Sequence, residues 1–375
     1  MIYLDYSATT KPHSGVLDTF IKCSNDYIGN PNSLHKLGVE AKNLIDSATL
    51  QISDLLNLKN SKIIYTSGST ESNNLAILGV CNMYKTRGKH IITTKLEHSS
   101  IYGPLKQLEE LGYIIDYVKL DKSGIVDLED LKRLITNDTI LVSICTVNSE
   151  IGLLQPIDEI AAIVKKYPRC IFHTDATQAI GKVKINLDNA DLVSFSAHKF
   201  FGIKGIGALV KKDNIELKPI ISGGSSTTIY RSGTPCLPLI VSISKALRLI
   251  LNDLDKKYEK VLELNNYLKE NIKDLKDVYI NSNDVCSPYI LNISVIGVKP
   301  ETLVHALEQH EIYVSTQTAC SSNTSLSKAV LELTKSEERA RSSIRISISY
   351  VTTKEEIDSF VNVFLSCVEK LTNLR

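Results

Sequence analysis

From about residue 60 to residue 210 short apolar segments alternate with stretches whose apolar residues recur every three or four positions, and nothing else in the chain restricts its fold as much. Strands separated by helices join one sheet by crossing over its face, so the pattern predicts a mostly parallel sheet covered by helices. Seven segments read as strands: 62–66, 90–93, 113–118, 139–145, 170–174, 192–196 and 207–210. Helices are expected at 75–84, 102–111 and 157–166. Beyond Thr234 the pattern changes. The stretch 237–275 reads as long helices, followed by strands at 289–295 and 344–349 and helices at 302–309 and 354–370. The reading is an α/β protein with a large domain over 12–255 and a smaller α+β domain made of 1–11 and 256–375.

Composition narrows the function. With 375 residues, 43% hydrophobic and 23% charged, and a formal net charge of +1, the chain is ordinary globular protein and gives no electrostatic case for nucleic acid or an anionic membrane. The start, MIYLDYSATT, lacks the basic and apolar regions of a signal peptide, and no apolar run reaches membrane-span length, so the cytoplasm is the expected compartment. Eight cysteines without a CxxC pair fit neither a disulfide framework nor a zinc site, and most are expected in the core.

Two constellations carry chemistry. Segment 62–66 runs into Ser67-Gly-Ser-Thr-Glu-Ser-Asn-Asn74 and then an apolar helix, so free backbone N–H groups meet an anion there, with Ser69 and Thr70 as candidate phosphate ligands. The turn lacks a P-loop lysine and the spaced glycines of a dinucleotide fingerprint, which favours a simple phosphate. An ordinary N-cap by Ser69 or Thr70 explains the same residues. In the second constellation Asp175 stands just beyond an apolar strand, where ligands of α/β sheets collect, and would keep a pyridine nitrogen protonated; Gln178 follows within reach of a ring hydroxyl. A helix cap is again the plain alternative for Asp175. The strand 192–196 then ends in Ser196-Ala-His-Lys199 ahead of a glycine-rich turn. Lys199, beside Ser196 and His198, suits imine formation with a carbonyl cofactor better than Lys204, which sits inside the turn.

Taken in order, these segments resemble the cysteine desulfurases, class V aminotransferase-like enzymes that use pyridoxal 5'-phosphate. The likeness spans nearly the whole chain: YLDYSATT (3–10), GNPNS (29–33), TSGSTESN (66–73), Glu97-His98, VNSEIG (147–152), DATQ (175–178), SAHK (196–199), RSGT (231–234), ACSS (319–322) and SIR (343–345). It implies the fold type I of pyridoxal-phosphate transferases and a homodimer. It further implies that Lys199 holds the cofactor as a Schiff base, that His98 stacks on its ring, that Asp175 pairs with the ring nitrogen, and that Asn148 and Gln178 contact the hydroxyl region. Thr70, Ser196 and His198 would bind the phosphate, joined by Thr234 from the other subunit, and Arg345 with Asn148 would bind the substrate carboxylate.

In this pattern the substrate is L-cysteine, and Cys320, in a stretch of small polar residues, receives its sulfur as a persulfide and passes it to an acceptor protein, a cluster scaffold or a tRNA-thiolation protein. The plain alternative for Cys320 is a free surface thiol. Departures from the family pattern stand at Ser149, Ile203, Ser225 to Ile229 and Thr316 to Thr318. A selenocysteine lyase, an aminotransferase, or a silent partner-binding subunit are the competing functions.

Overall fold

A computed structural model describes residues 1–225, 228–316 and 326–373. The strands in chain order are β1 (Ile2–Tyr3), β2 (Ser61–Thr66), β3 (His90–Thr93), β4 (Ile114–Tyr117), β5 (Thr139–Ser143), β6 (Ile171–Asp175), β7 (Leu192–Ser196), β8 (Gly207–Lys212), β9 (Val278–Ile280), β10 (Ile290–Val295), β11 (Ile312–Tyr313) and β12 (Ser343–Ser347). Seven of them form one sheet in the order β2-β8-β7-β6-β5-β3-β4. Only β8 runs against its neighbours, so the sheet is mostly parallel, as the alternation predicts. Burial follows position. Every residue of β5, β6 and β7 is buried, whereas the edge strands β2 and β4 keep half-exposed or exposed positions.

Helices cover the sheet where the periodicity places them, but two start earlier than their apolar spacing indicates. The helix expected at 75–84 spans Ser69–Met83, and that expected at 102–111 spans Ser99–Glu110. The first turn of Ser69–Met83 is polar because Ser69 and Thr70 line the site, and Ser99–Glu110 opens on two serines, so hydrophobic periodicity registers neither start. Helices Ser14–Asp26 and Lys36–Leu55, near the N-terminus, were not read from the sequence.

A second core gathers Leu4, residues of the helix Leu254–Ile272, β10, β12 and the helix Lys354–Asn373. There β10 lies between β9 and β12, antiparallel to both. The N-terminal segment joins this core and reaches the end of the large sheet: β1 pairs with β11, Asp5 bridges to Ser347, and the Thr10 N–H donates to the His198 carbonyl just beyond β7. No helix among the described residues is long and apolar enough to cross a membrane.

Candidate active site

The strands β6 and β7 end at Asp175 and Ser196, and the turns that follow β2, β3 and β5 open toward the same point. Together they enclose a cavity of about 440 Å³ whose wall includes Ser69, Thr70, His98, Asp175, Gln178, Ser196, His198, Lys199 and Arg345. Nine of the candidate residues are thus brought together from five separate stretches of the chain. This is the carboxyl edge of the parallel strands, where an α/β sheet leaves its connections free to build a site.

At one end the helix Ser69–Met83 begins at Gly68 with no side-chain cap, which corrects the alternative of an N-cap by Ser69 or Thr70. Instead the Ser69 N–H donates to Ser196 Oγ (2.6 Å), and the Ser196 hydroxyl donates to Ser69 Oγ (3.0 Å). Gly68 has φ of +156°, and a Cβ built on Gly207 would lie 2.7 Å from Gly68 Cα, so both positions require glycine for the turn to close over the sheet. His198 shares a hydrogen bond between Nδ1 and Thr9 Oγ1 (3.1 Å), and burial holds it at about 4, a neutral imidazole at pH 7.

Deeper in the cavity Lys199 Nζ donates to the carbonyls of Ser7 (2.6 Å) and Ala8 (2.8 Å). Asp175 Oδ1 accepts from the Thr177 N–H (2.9 Å) and Oδ2 from Asn73 Nδ2 (2.7 Å). The cap alternative for Asp175 therefore accounts for one oxygen only. Gln178 Nε2 donates to the Ser7 carbonyl (2.9 Å), and Lys182 Nζ, itself buried, donates to Gln178 Oε1 (2.5 Å). The Ser7 carbonyl only accepts, so the amide orientation is fixed and Gln178 Nε2 is left as a donor for the cavity.

Arg345 is 1% exposed. Its Nη2 pairs with Asp5 Oδ1 (2.8 Å), its Nη1 donates to the Ser149 carbonyl (3.0 Å), and its Nε is buried without a partner. A buried guanidinium with an unused N–H beside a cavity suits a carboxylate ligand.

Two of the expected residues stand outside this wall. The Asn148 side chain is not part of the cavity wall: its Oδ1 accepts from the N–H groups of Glu150 and Ile151, and its Nδ2 donates to the Leu96 carbonyl (2.7 Å), while Val147 and Ser149 line the cavity instead. Asn148 shapes its own turn, a role its side chain fills at close to full capacity. Thr234 is exposed and lines a neighbouring cavity of about 580 Å³ with Arg231 and Cys236, away from Lys199 of its own chain. Cys320 lies outside the described residues.

The structure adds residues to which the motif reading gave no role. The segment Asp5 to Thr10 touches Arg345, Lys199, Gln178 and His198. Glu97 is buried and accepts from the Thr94 hydroxyl (2.7 Å) and the Cys145 N–H (3.1 Å), and burial pushes its carboxyl up to about 8. Asn73 and Ser100 lie between His98 and Asp175. The motifs at 3–10 and 97–98 contain the only sequence signal for the first two groups.

The aminotransferase class-V family model matches residues 2–360. The chain belongs to this family. It is 40% identical over 380 residues to a cysteine desulfurase IscS of Dictyoglomus turgidum, covering 100% of this chain and 96% of the relative. Among solved structures, a NifS-like protein superposes with a TM-score of 0.91 at 32% identity, covering 99% of each chain. SspA in complex with cysteine superposes with a TM-score of 0.82 at 30% identity, over 94% of this chain and 100% of the other. Class V aminotransferases and their desulfurase branch depend on pyridoxal 5'-phosphate. The residues present fit that group: an uncapped helix start with hydroxyl donors for a phosphate, a carboxylate for a pyridine nitrogen, and an amine between them.

Proposed function

We propose that the protein is a cysteine desulfurase that binds pyridoxal 5'-phosphate through Lys199, takes L-cysteine as substrate and passes the sulfur through Cys320 to an acceptor protein. One observation carries the reading: Lys199, Asp175, His98 and the buried Arg345 line a single cavity in a chain related along its whole length to cysteine desulfurases. When bound, the cofactor supplies an electron sink for the bonds at the substrate's Cα.

The chain's own residues do the rest. Ser69, Thr70, Ser196, His198 and the helix start hold the phosphate, and Asp175 keeps a proton on the ring nitrogen. Gln178 offers an N–H to the ring hydroxyl. Arg345 grips the substrate carboxylate and so fixes which bond faces the catalytic groups. Lys199 Nζ, held near the Ser7 and Ala8 carbonyls, would move a proton at Cα. His98 covers the ring face and handles a second proton. In the net reaction the carbon–sulfur bond of cysteine breaks, a sulfur–sulfur bond forms to Cys320, and alanine leaves with the thiol proton, so atoms and electrons balance without a further oxidant.

We read the two cores as two domains, 12–255 and 1–11 with 256–375. A homodimer in which Thr234 serves the partner's phosphate end is supported by the exposure of Thr234 and of Ile28 (81%), Leu34 (98%) and Ile229 (60%). The acceptor is a cluster scaffold or a tRNA-thiolation protein.

The test is the absorbance spectrum before and after cysteine is added, with mass analysis of the Cys320 peptide. A shifted cofactor band, alanine release and a peptide heavier by one sulfur are expected. Cys320→Ala should keep the cofactor band and lose sulfide release; an unchanged rate refutes the Cys320 assignment.

A further inference from the structure

We propose that Asn73 and Ser100 are positioning residues that hold His98 as a neutral imidazole with its proton on Nε2, through a hydrogen-bonded chain whose donor directions are set by Asp175. The proposal deepens the reading above, in which His98 transfers a proton over the cofactor ring.

The directions follow from what each atom is able to do. Asp175 Oδ2 accepts, so the Asn73 group 2.7 Å from it is the amide nitrogen. Reversing that amide would set two oxygens against each other. Asn73 Oδ1 accordingly points away and is buried without a partner. The second Nδ2 hydrogen goes to Ser100 Oγ at 2.9 Å. With Asn73 donating to it, the Ser100 hydroxyl has its own hydrogen to give, and His98 Nδ1 lies 2.8 Å away. The Ser100 backbone N–H also donates to Nδ1 (3.2 Å), because His98 is the N-cap of the helix Ser99–Glu110. Two donors aimed at Nδ1 leave no room for a proton there, so the ring hydrogen sits on Nε2.

Burial makes the chain rigid. Asn73 is 0% and Ser100 6% exposed, so water does not replace either partner. Charged groups around the ring act in both directions: Asp175 favours a second proton on His98, while Lys199, Arg345 and burial oppose it, burial most of all. The adjacent Glu97 is held protonated at neutral pH by burial and adds no charge. Protonating Nδ1 would break both donor bonds and force the Ser100 hydroxyl to turn. His98 therefore presents its Nε2–H to the cavity as a hydrogen-bond donor, and takes up a proton at Nδ1 only if the Ser100 hydroxyl turns away from it.

The experiment is nitrogen NMR of the holoenzyme labelled with ¹⁵N-histidine, the His98 signals being those lost in His98→Gln. Wild-type protein should show an unprotonated Nδ1 and a protonated Nε2 across about pH 6 to 8. Ser100→Ala removes one donor to the neutral form, so the His98 titration midpoint should rise by about one pH unit. Asn73→Ala should move it in the same direction, and Ser100→Thr should restore it. A protonated Nδ1 in the wild type, or an unmoved midpoint in Ser100→Ala, overturns the proposal. If Ser100→Ala fails to fold, the wild-type tautomer decides alone. Because the ring is observed without turnover, an inactive protein with the expected tautomer would refute the desulfurase reading and leave this one standing.

Discussion

Replacing Arg345 by lysine keeps a positive charge opposite Asp5 but removes the planar fork, and this isolates carboxylate recognition from charge balance. Lysine has no counterpart to the Nε–H that is buried and unpartnered, nor to the pair of Nη groups now held by Asp5 and the Ser149 carbonyl. A substrate carboxylate gripped by two charge-assisted hydrogen bonds gains roughly 1.5 kcal/mol or more from each. Losing the fork should therefore cost about 3 kcal/mol, on the order of a hundredfold in kcat/KM for L-cysteine. The assay compares L-cysteine with cysteamine, which has the amine and thiol but no carboxylate. Wild-type enzyme should prefer cysteine by about that factor, and Arg345→Lys should lose most of the preference while its cofactor band stays unchanged. An equal loss on both substrates, or none on either, would show that the guanidinium does not read the carboxylate.

Lys199→Ala should bind the cofactor without the absorbance of an imine and release no alanine, as followed by spectrum and product analysis. Gly207→Ala places a methyl carbon 2.5 Å from the Phe195 carbonyl and 2.7 Å from Gly68 Cα, so the phosphate turn must shift; cofactor affinity, measured by titration of the apo-protein, should fall by about 1–3 kcal/mol with the fold retained. Burial holds both His173 and His198 at about 4, below the roughly 6.5 of an unfolded imidazole. The unfolded chain then binds more protons between those values, so stability is full above about pH 6.5 and falls as pH drops toward 4. The unfolding midpoint should trace that slope, and His173→Asn should flatten it.

Much of the large sheet was legible because its order is written in period: residues of β5, β6 and β7 are buried on both faces, so they form short continuous apolar runs between helices. Lys199 and Asp175 were legible too, because a lysine and a carboxylate close to strand ends break an otherwise apolar pattern, whereas His98 came only from the family resemblance. The early starts of the two helices at the site were not, since their first turns are polar and have no hydrophobic stripe. Nor was the displacement of Asn148 from the cavity wall, which depends on where its own turn directs the amide.

By itself, then, the sequence determined the alternation that makes a parallel sheet, and the order of motifs that names the chemistry. Tertiary structure alone decided which atoms face each other. Asp5 meets Arg345 across 340 residues, Lys199 meets the Ser7 carbonyl across 192, and Asn73 meets Asp175 across 102. Periodicity reports only which face of an element is apolar. A polar contact between distant segments leaves no period, and its donor directions follow from geometry once the fold has brought the atoms together.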